Sequence, residues 1–282
     1  IYFNKIYPQS AIRCSDKLAG VQLGNIINIQ TSEGHKLKYY VKTHSNGLIS
    51  GHSSAAELLR PQELMVYKVL EKLGVGCESH FFGRDGKNFY IATLDANSGG
   101  KFKEYSKFNK NDIVDVAPLW GILNSLDESP KKNETNHEMI EELISKDHIS
   151  QNFIFQISYL DLLARLMRLI DLQTNGTNYG FLNNESSLPQ LKIIDFRLRS
   201  LEEEDDFKIT ENHFKGFLKG NGSFHYISAD KVICYILRNR TKELRVEQAR
   251  QVFEQRFINW MDVIREAQHS TLNSLSGIDL MS

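Results

Sequence analysis

The chain has few residues of the kinds that fix a structure covalently or anchor it in a membrane. Its 282 residues include three cysteines, Cys14, Cys77 and Cys234, odd in number and far apart, with no CxxC pair. That spacing excludes a disulfide framework and a cysteine-based zinc site, and fits reduced thiols in a reducing compartment. Asn136-His137-Glu138 and the other histidines form no HExxH or comparable ligand pair, so no transition-metal site is expected. No apolar run approaches the roughly 20 residues that span a bilayer, and no signal-peptide pattern is visible. Neither sign of charge is in excess: 34 basic and 35 acidic residues give a net charge of −1. Nothing in that balance pulls the chain as a whole toward nucleic acid or a membrane surface, so nucleic acid is not an expected partner.

What is present divides by position. The length suits one large domain or two lobes. The first third reads as strands and turns. Residues 21–29 are apolar around Gly24 and Asn25, residues 31–34 make a turn, and Leu37-Lys38-Tyr39-Tyr40-Val41-Lys42 follows as a strand. A Ser/Gly-rich loop over 43–56 leads to a helix over 61–73. Pro61 suits its first turn, and Gly74 and Gly76 stop it. Leu64, Tyr67, Lys68 and Glu71 mark one side; Val66, Val69, Leu70 and Leu73 form the apolar stripe. Strands over 79–82 and 89–93 complete the order strand, strand, strand, helix, strand, strand.

Past Leu94 the composition changes. Residues 96–100 are small and read as a hinge. Residues 111–126 and 137–146 read as helices, and 153–172 as a long buried helix whose main charges are Asp161, Arg165, Arg168 and Asp171. A short apolar strand, Leu191-Lys192-Ile193-Ile194-Asp195-Phe196, carries an acid near its end. Residues 202–206 form an acidic surface run; 230–238 and 246–268 read as helices; the end from Ser270 is expected to fray.

Three features are candidates for chemistry. Lys42 closes a strand and Glu63 lies early in the next helix, an arrangement in which a lysine reaches phosphates and a glutamate orients it. Lys38 and Glu57 are the rival choices, and a surface lysine with an ordinary helix glutamate is the plainer reading. Asn175-Gly176-Thr177-Asn178-Tyr179-Gly180-Phe181-Leu182 frames a polar loop with apolar elements, which presents an amide oxygen to a cation or simply makes a turn. Asp195 ends an apolar strand, where an acid caps the next turn or meets a cation.

In order and spacing these features resemble the protein-kinase superfamily, over roughly residues 20–260. Asp195-Phe196-Arg197 is similar to the metal-binding Asp-Phe-Gly motif, with Arg in place of Gly, and Asn178 to the catalytic-loop asparagine. Residues 169–182 resemble the atypical branch more closely: HipA-type kinases, uncharacterised nematode kinase-like proteins and effector kinases secreted by intracellular bacteria. The chain departs from the pattern in lacking a GxGxxG loop, for which Gly20 and Gly24 are the candidates, and in lacking His-Arg-Asp. Gln173 stands five residues before Asn178, where the base is usual, and Asp171 seven before it.

The resemblance implies an α+β bilobal fold: a nucleotide-binding lobe over 1–97, built of a small antiparallel sheet with one helix, and a mostly helical catalytic lobe over 98–282. It implies ATP and Mg2+ as cofactors. Lys42 would hold phosphates, oriented by Glu63, and Leu94, Asp95 and Ala96 would line the adenine side. Asn178 and Asp195 would hold Mg2+, and Asp171 would act as base. The expected activity is transfer to a hydroxyl, on a protein Ser/Thr or a small molecule or lipid, in the cytoplasm or, for a secreted effector, the host cytosol. Gln173 and Arg197 favour the alternative of a pseudokinase scaffold, and a generic α+β binding protein is the third reading.

Two basic clusters lie outside these motifs. Lys101, Lys103, Lys107 and Lys110 interleave with Phe102, Tyr105 and Phe108; Arg238, Arg240, Lys242 and Arg245 form the second. Each is either a solvated face or a site for a polyanionic regulator, and arginine's planar fork ranks the second first.

Overall fold

Alternating apolar and polar residues in the first third build five antiparallel strands: β1 (Ala11–Asp16), β2 (Gly24–Gln30), β3 (Lys36–Thr43), β4 (Ser79–Arg84) and β5 (Asn88–Leu94). They lie in the order β1-β2-β3-β5-β4, with helix α2 (Pro61–Lys72) between β3 and β4 in sequence and helix α1 (Tyr2–Ile6) ahead of β1. The computed structural model describes residues 2–17, 24–43, 61–84, 88–104, 148–170, 176–183, 188–198 and 242–276, with 142, 145 and 172 besides. The chain clusters into two units, one made of Ile1–Gly100 and Trp260–Ser282, the other of Lys101–Asn259.

The sheet of the first unit buries both faces, and the period of two along each strand decides what goes where. Tyr39, Val41 and Ala92 point to one face and form a core with Phe3 of α1 and Ile29. Tyr7 Oη lies 2.6 Å from Tyr39 Oη, Tyr39 donates to Glu78 at 2.9 Å, and His80 Nε2 meets the same Glu78 oxygen at 2.7 Å. His80 and Tyr39 hold the Glu78 carboxyl below its ordinary range, while burial pushes the Tyr39 hydroxyl up. Lys42, Ile91 and Phe81 are register partners across β3, β5 and β4 and share the opposite face, where α2 packs with Tyr67 edge-on to Phe81.

Helix α2 starts at Pro61 and ends at Lys72, where Gly74 takes a φ of 74° that costs a residue with a Cβ. Its burial is two-sided. Leu64, Tyr67 and Lys68 are buried, and so are Val69 and Leu70, so burial extends beyond one face. The sequence reading made the second group the apolar stripe, yet the first group meets the sheet. Lys68 Nζ donates to Glu71 at 2.9 Å and to the Ser79 carbonyl, and Glu71 accepts from both Ser79 N and Ser79 Oγ. A buried lysine is tolerable here because its charge is paired and its protons are used.

The second unit contains β6 (Lys101–Glu104), helix α3 (His148–Leu166), β7 (Leu169–Ile170), β8 (Tyr179–Asn183), β9 (Gln190–Ile193), β10 (Arg197–Leu198) and helix α4 (Lys242–Val252), followed by a π turn over Phe253–Phe257. The strands form a β6-β8-β9 sheet and a β7-β10 pair. Helix α3 stops at Leu166 rather than at 172, because Arg168 adopts a left-handed φ of 56° and turns the chain into β7. Its charges Asp161 and Arg165 are not solvated but buried and paired, Arg165 Nε to Asp161 Oδ2 at 2.7 Å. The α3 side chains also cover the edge of β9: Asn152 Nδ2 donates to the Pro189 carbonyl at 3.0 Å and Gln156 Oε1 accepts from Leu191 N at 3.4 Å.

The end of the chain corrects the sequence reading. The expected single helix over 246–268 is interrupted by the π turn and resumes as α5 (Trp260–Ser276), which stays helical past Ser270. Helix α5 belongs with the first unit, not with residues 98–259, because it packs on α2 and β4. The proposed hinge is a 3-10 turn over Ala96–Gly99, capped by the Asp95 side chain on Asn97 N. The expected helices over 111–126, 137–146 and 230–238 and the acidic run over 202–206 lie outside the described residues, apart from Glu142 and Ser145. No described helix is long and apolar enough to cross a membrane.

Candidate functional site

In the first unit, Lys42 and Lys38 project from the same face of β3, about 13 Å apart at the usual strand rise. Their surroundings separate them. Lys38 Nζ donates to Tyr40 Oη at 2.6 Å and lies 3.4 Å from Asp95 Oδ2, so its charge is committed to the end of β5. That neighbourhood, the Tyr40 contact first, pushes its pKa up. Lys42 Nζ instead stands 5.5 Å from the Tyr67 ring centroid of α2. Tyr67 lies one turn after Glu63, on the same side of the helix. Lys42 therefore sits at the α2 face that carries Glu63, and the rival Lys38 does not. Glu57 lies outside the described residues.

Opposite Lys42 in the register stands Gly24, where a Cβ would collide with the Val41 carbonyl oxygen. The strand before Lys42's own thus approaches too closely for any side chain. Gly20 lies outside the described residues. At the other end of β3, Leu94 N donates to the Glu78 carbonyl at 2.9 Å and Asp95 N to the Lys38 carbonyl at 2.7 Å. The N–H groups of Leu94 and Asp95, residues expected to line an adenine site with Ala96, are spent on backbone bonds of the sheet.

Asn178 and Asp195 are brought together in the second unit. The β8-β9 hairpin starts just after Asn178 and ends just before Asp195, with Tyr179 paired to Ile193. Beyond that last pair, Ile194 N and Asp195 N both donate to the Asn178 carbonyl, at 2.8 and 3.2 Å. Strand β9 stops at Ile193, so Asp195 is not in the strand as expected but on the turn that follows it. Asp195 is exposed and accepts from Phe196 N at 3.0 Å; Asn178 and Phe196 are buried. Arg197 opens β10 and pairs with Ile170 of β7. The backbone thus sets residue Asn178 next to residue Asp195, and the side chains of both residue types carry hard oxygen donors.

Other expected residues are not assembled by what is described. Asp171 and Gln173 lie outside the described residues. So do Arg238 and Arg240; Lys242 and Arg245 fall on α4 without described side chains, and the polyanion cluster has no geometry. Lys101 and Lys103 fall on β6. Among the described residues no group of three or more His, Cys, Asp or Glu is placed to hold a metal. The sequence reading placed Tyr67 on one side of α2 without pairing it with Lys42, the contact seen in the structure.

No protein-family model and no curated protein matches the sequence. Among solved structures the chain is similar to Rio2 kinase from Chaetomium thermophilum in its ADP/Mg2+-phosphoaspartate complex. Identity is 12% and the TM-score 0.33, over 95% of this chain and 74% of that one. A likeness of that degree carries no weight for the site, whose chemistry is set by this chain's own residues.

Lys42 and Lys38 differ enough to be told apart by substitution. On the reading proposed below, in which Lys42 meets a nucleotide phosphate, Lys42→Ala is expected to weaken nucleotide binding at least about tenfold, the worth of one charge-assisted contact. Lys38→Ala is expected to lower thermal stability with little effect on affinity, because it breaks the Asp95 pair. Calorimetry with an ATP analogue checks both; the reverse pattern moves the site four residues along β3.

Proposed function

We propose that this chain is an ATP- and Mg2+-dependent phosphotransferase of the atypical protein Ser/Thr kinase kind. The observation that carries the reading is the Asn178 carbonyl accepting from both Ile194 N and Asp195 N, which sets an amide residue beside an exposed carboxylate at the mouth of the β8-β9 hairpin. The donor chemistry fits Mg2+, which takes one or two protein oxygens and fills the rest of its shell with phosphate and water. The sheet order with α2 between β3 and β4, and Lys42 at the Glu63 face of that helix, supports a phosphate site in the first unit.

In this reading residues up to about 97, within the first unit, form the nucleotide-binding lobe and the second unit carries catalysis. Lys42 holds the α and β phosphates and Glu63 orients it. Leu94, Asp95 and Ala96 lie on the adenine side. Asn178 and Asp195 would hold Mg2+, which would supply charge neutralisation on the phosphate oxygens. Asp171 takes the proton of the acceptor hydroxyl as its oxygen bonds to the γ-phosphorus and the bond to ADP breaks. A protein Ser/Thr hydroxyl is the favoured acceptor over a small molecule or lipid. A second reading, a nucleotide-binding scaffold without transfer, is favoured by Arg197, which follows Phe196 in a paired strand where a glycine is usual.

Thermal shift with ATP, with and without Mg2+, and transfer of the γ-phosphate to protein acceptors or to the chain itself test the proposal. Stabilisation that requires Mg2+, together with transfer, supports it; stabilisation without transfer favours the scaffold. Asp171→Ala is expected to lower transfer at least about a hundredfold with nucleotide affinity unchanged. A loss below about tenfold removes Asp171 as the base.

A further inference from the structure

We propose that the buried polar strip of α3 holds an internal water molecule, bound between Ser158 Oγ and Asp161 Oδ1. Ser158, Asp161 and Arg165 follow one another at spacings of three and four residues, so their side chains leave α3 on one side. Ser158 and Asp161 are 0% exposed and Arg165 is 1% exposed. Bulk solvent does not reach this strip. Each polar atom in it needs a partner from the protein or from a trapped molecule.

The protein supplies part of what the strip needs. Arg165 Nε donates to Asp161 Oδ2 at 2.7 Å. The other carboxylate oxygen, Asp161 Oδ1, is buried without a hydrogen-bond partner among the described residues, and so is the Ser158 hydroxyl. A hydroxyl on a helix can satisfy itself by donating to the carbonyl four residues back. Thr271 does so to Ala267 and Ser274 to Ser270, both at 2.8 Å. Ser158 does not. Two orphaned polar atoms, one turn apart, thus share a side of one helix. Positions so spaced have Cβ atoms about 5–6 Å apart, a gap that one water bridges.

A proton on Asp161 is the competing way to satisfy Oδ1. Burial pushes this carboxyl up to about 6, with Arg165 pulling it back, so it is ionised at neutral pH. Arg165 keeps its charge throughout, and a neutral Asp161 would give up its attraction to that charge. A bare oxygen of a buried carboxylate is among the costliest acceptors to leave unmet. A water meets both needs, donating to Oδ1 and accepting from the Ser158 hydroxyl. Internal waters sit where otherwise unsatisfied buried polar groups converge. A buried ion pair is tolerated when its remaining lone pairs find donors, and this water supplies one. Arg165 lies one turn before Arg168, whose left-handed φ turns the chain into β7, so the hydrated pair secures the end of α3. The water would be held whether or not the chain transfers phosphate.

A high-resolution crystal structure of the full chain tests this directly. A density peak within about 3.2 Å of both Ser158 Oγ and Asp161 Oδ1 is expected. No peak there, or a direct bond between the two side chains, overturns the proposal. Titration of the Asp161 carboxyl by carbon-13 NMR gives a second readout. Ser158→Val fills the space with methyl groups and should raise the midpoint by at least about one unit, because the carboxylate loses its donor. Ser158→Ala removes the hydroxyl but leaves the space, and should raise it less. Equal rises in the two variants would mean that the hydroxyl itself serves the carboxylate, and would overturn the bridge. Where Ser158→Val does not fold, the density in the wild-type structure decides alone.

Discussion

Asp195→Ala is expected to remove phosphoryl transfer by at least about a thousandfold, the cost of losing a metal ligand worth several kcal/mol of charge stabilisation. The same variant should lose the Mg2+-dependent part of any nucleotide-induced stabilisation. Its fold should survive. Asp195 is exposed, and its carboxylate accepts from Phe196 N. That bond is worth about 1 kcal/mol. Its neighbours are held without it: the Asn178 carbonyl bonds backbone amides, Phe196 is buried, and Arg197 is paired with β7. Radiolabelled γ-phosphate transfer and thermal shift with and without Mg2+ check both parts. Wild-type transfer in the variant would remove Asp195 from the site. Asp195→Asn keeps an acceptor for Phe196 N but not the charge, and should be nearly as inactive.

Arg165→Met is expected to destabilise the second unit by about 3–5 kcal/mol, the usual cost of breaking one half of a buried ion pair. Domains have only about 5–15 kcal/mol in all. Both side chains are essentially inaccessible, 1% and 0% exposed, so no water replaces the lost guanidinium beside Asp161. The double variant Asp161→Leu, Arg165→Met should recover most of the loss, because it removes the charge as well as its partner. Urea unfolding followed by circular dichroism checks this; equal losses in single and double variants would show that packing volume, not charge, governs the site.

The same pair gives a pH signature. Burial pushes the Asp161 carboxyl up to about 6, with Arg165 pulling it back. A folded pKa above the unfolded one means that the folded chain binds more protons between about pH 4 and pH 6. This group's contribution to stability is therefore largest below that window and falls as pH rises through it. Asp161→Asn should flatten that slope relative to wild type. Because α3 also covers the edge of β9 through Asn152 and Gln156, loosening it should reach the strand that precedes Asp195.

Much of the first unit is written locally. Pro61 and Gly74 bound α2 by their own dihedral limits, and the alternation around Leu37 and Tyr39 makes a strand wherever it is placed. The arrival of Asp195 just past an apolar strand is equally local. The breaks were less legible. Nothing in the residues 153–172 announces that Arg168 takes a left-handed φ, since the cost is met by the pairing of β7 with β10 far along the chain. Nor does an apolar pattern across 246–268 reveal a π turn.

Partnership was decided by tertiary structure alone. Lys38 and Lys42 share a strand, a face and a charge; Asp95 and Tyr67, from later elements, tell them apart. Asp161 and Arg165 read in sequence as charges on a long buried helix, and their pairing and full burial come from α3 being covered at that level. Asn178 meets Asp195 because the β8-β9 register returns one to the other. Helix α2 packs on both β4 and α5, and nothing in its own residues names either partner. The physical reason is common to all four cases. Periodicity records how much of an element's surface must leave water, while the partner that covers it is set by long-range register and packing, which no local window of sequence contains.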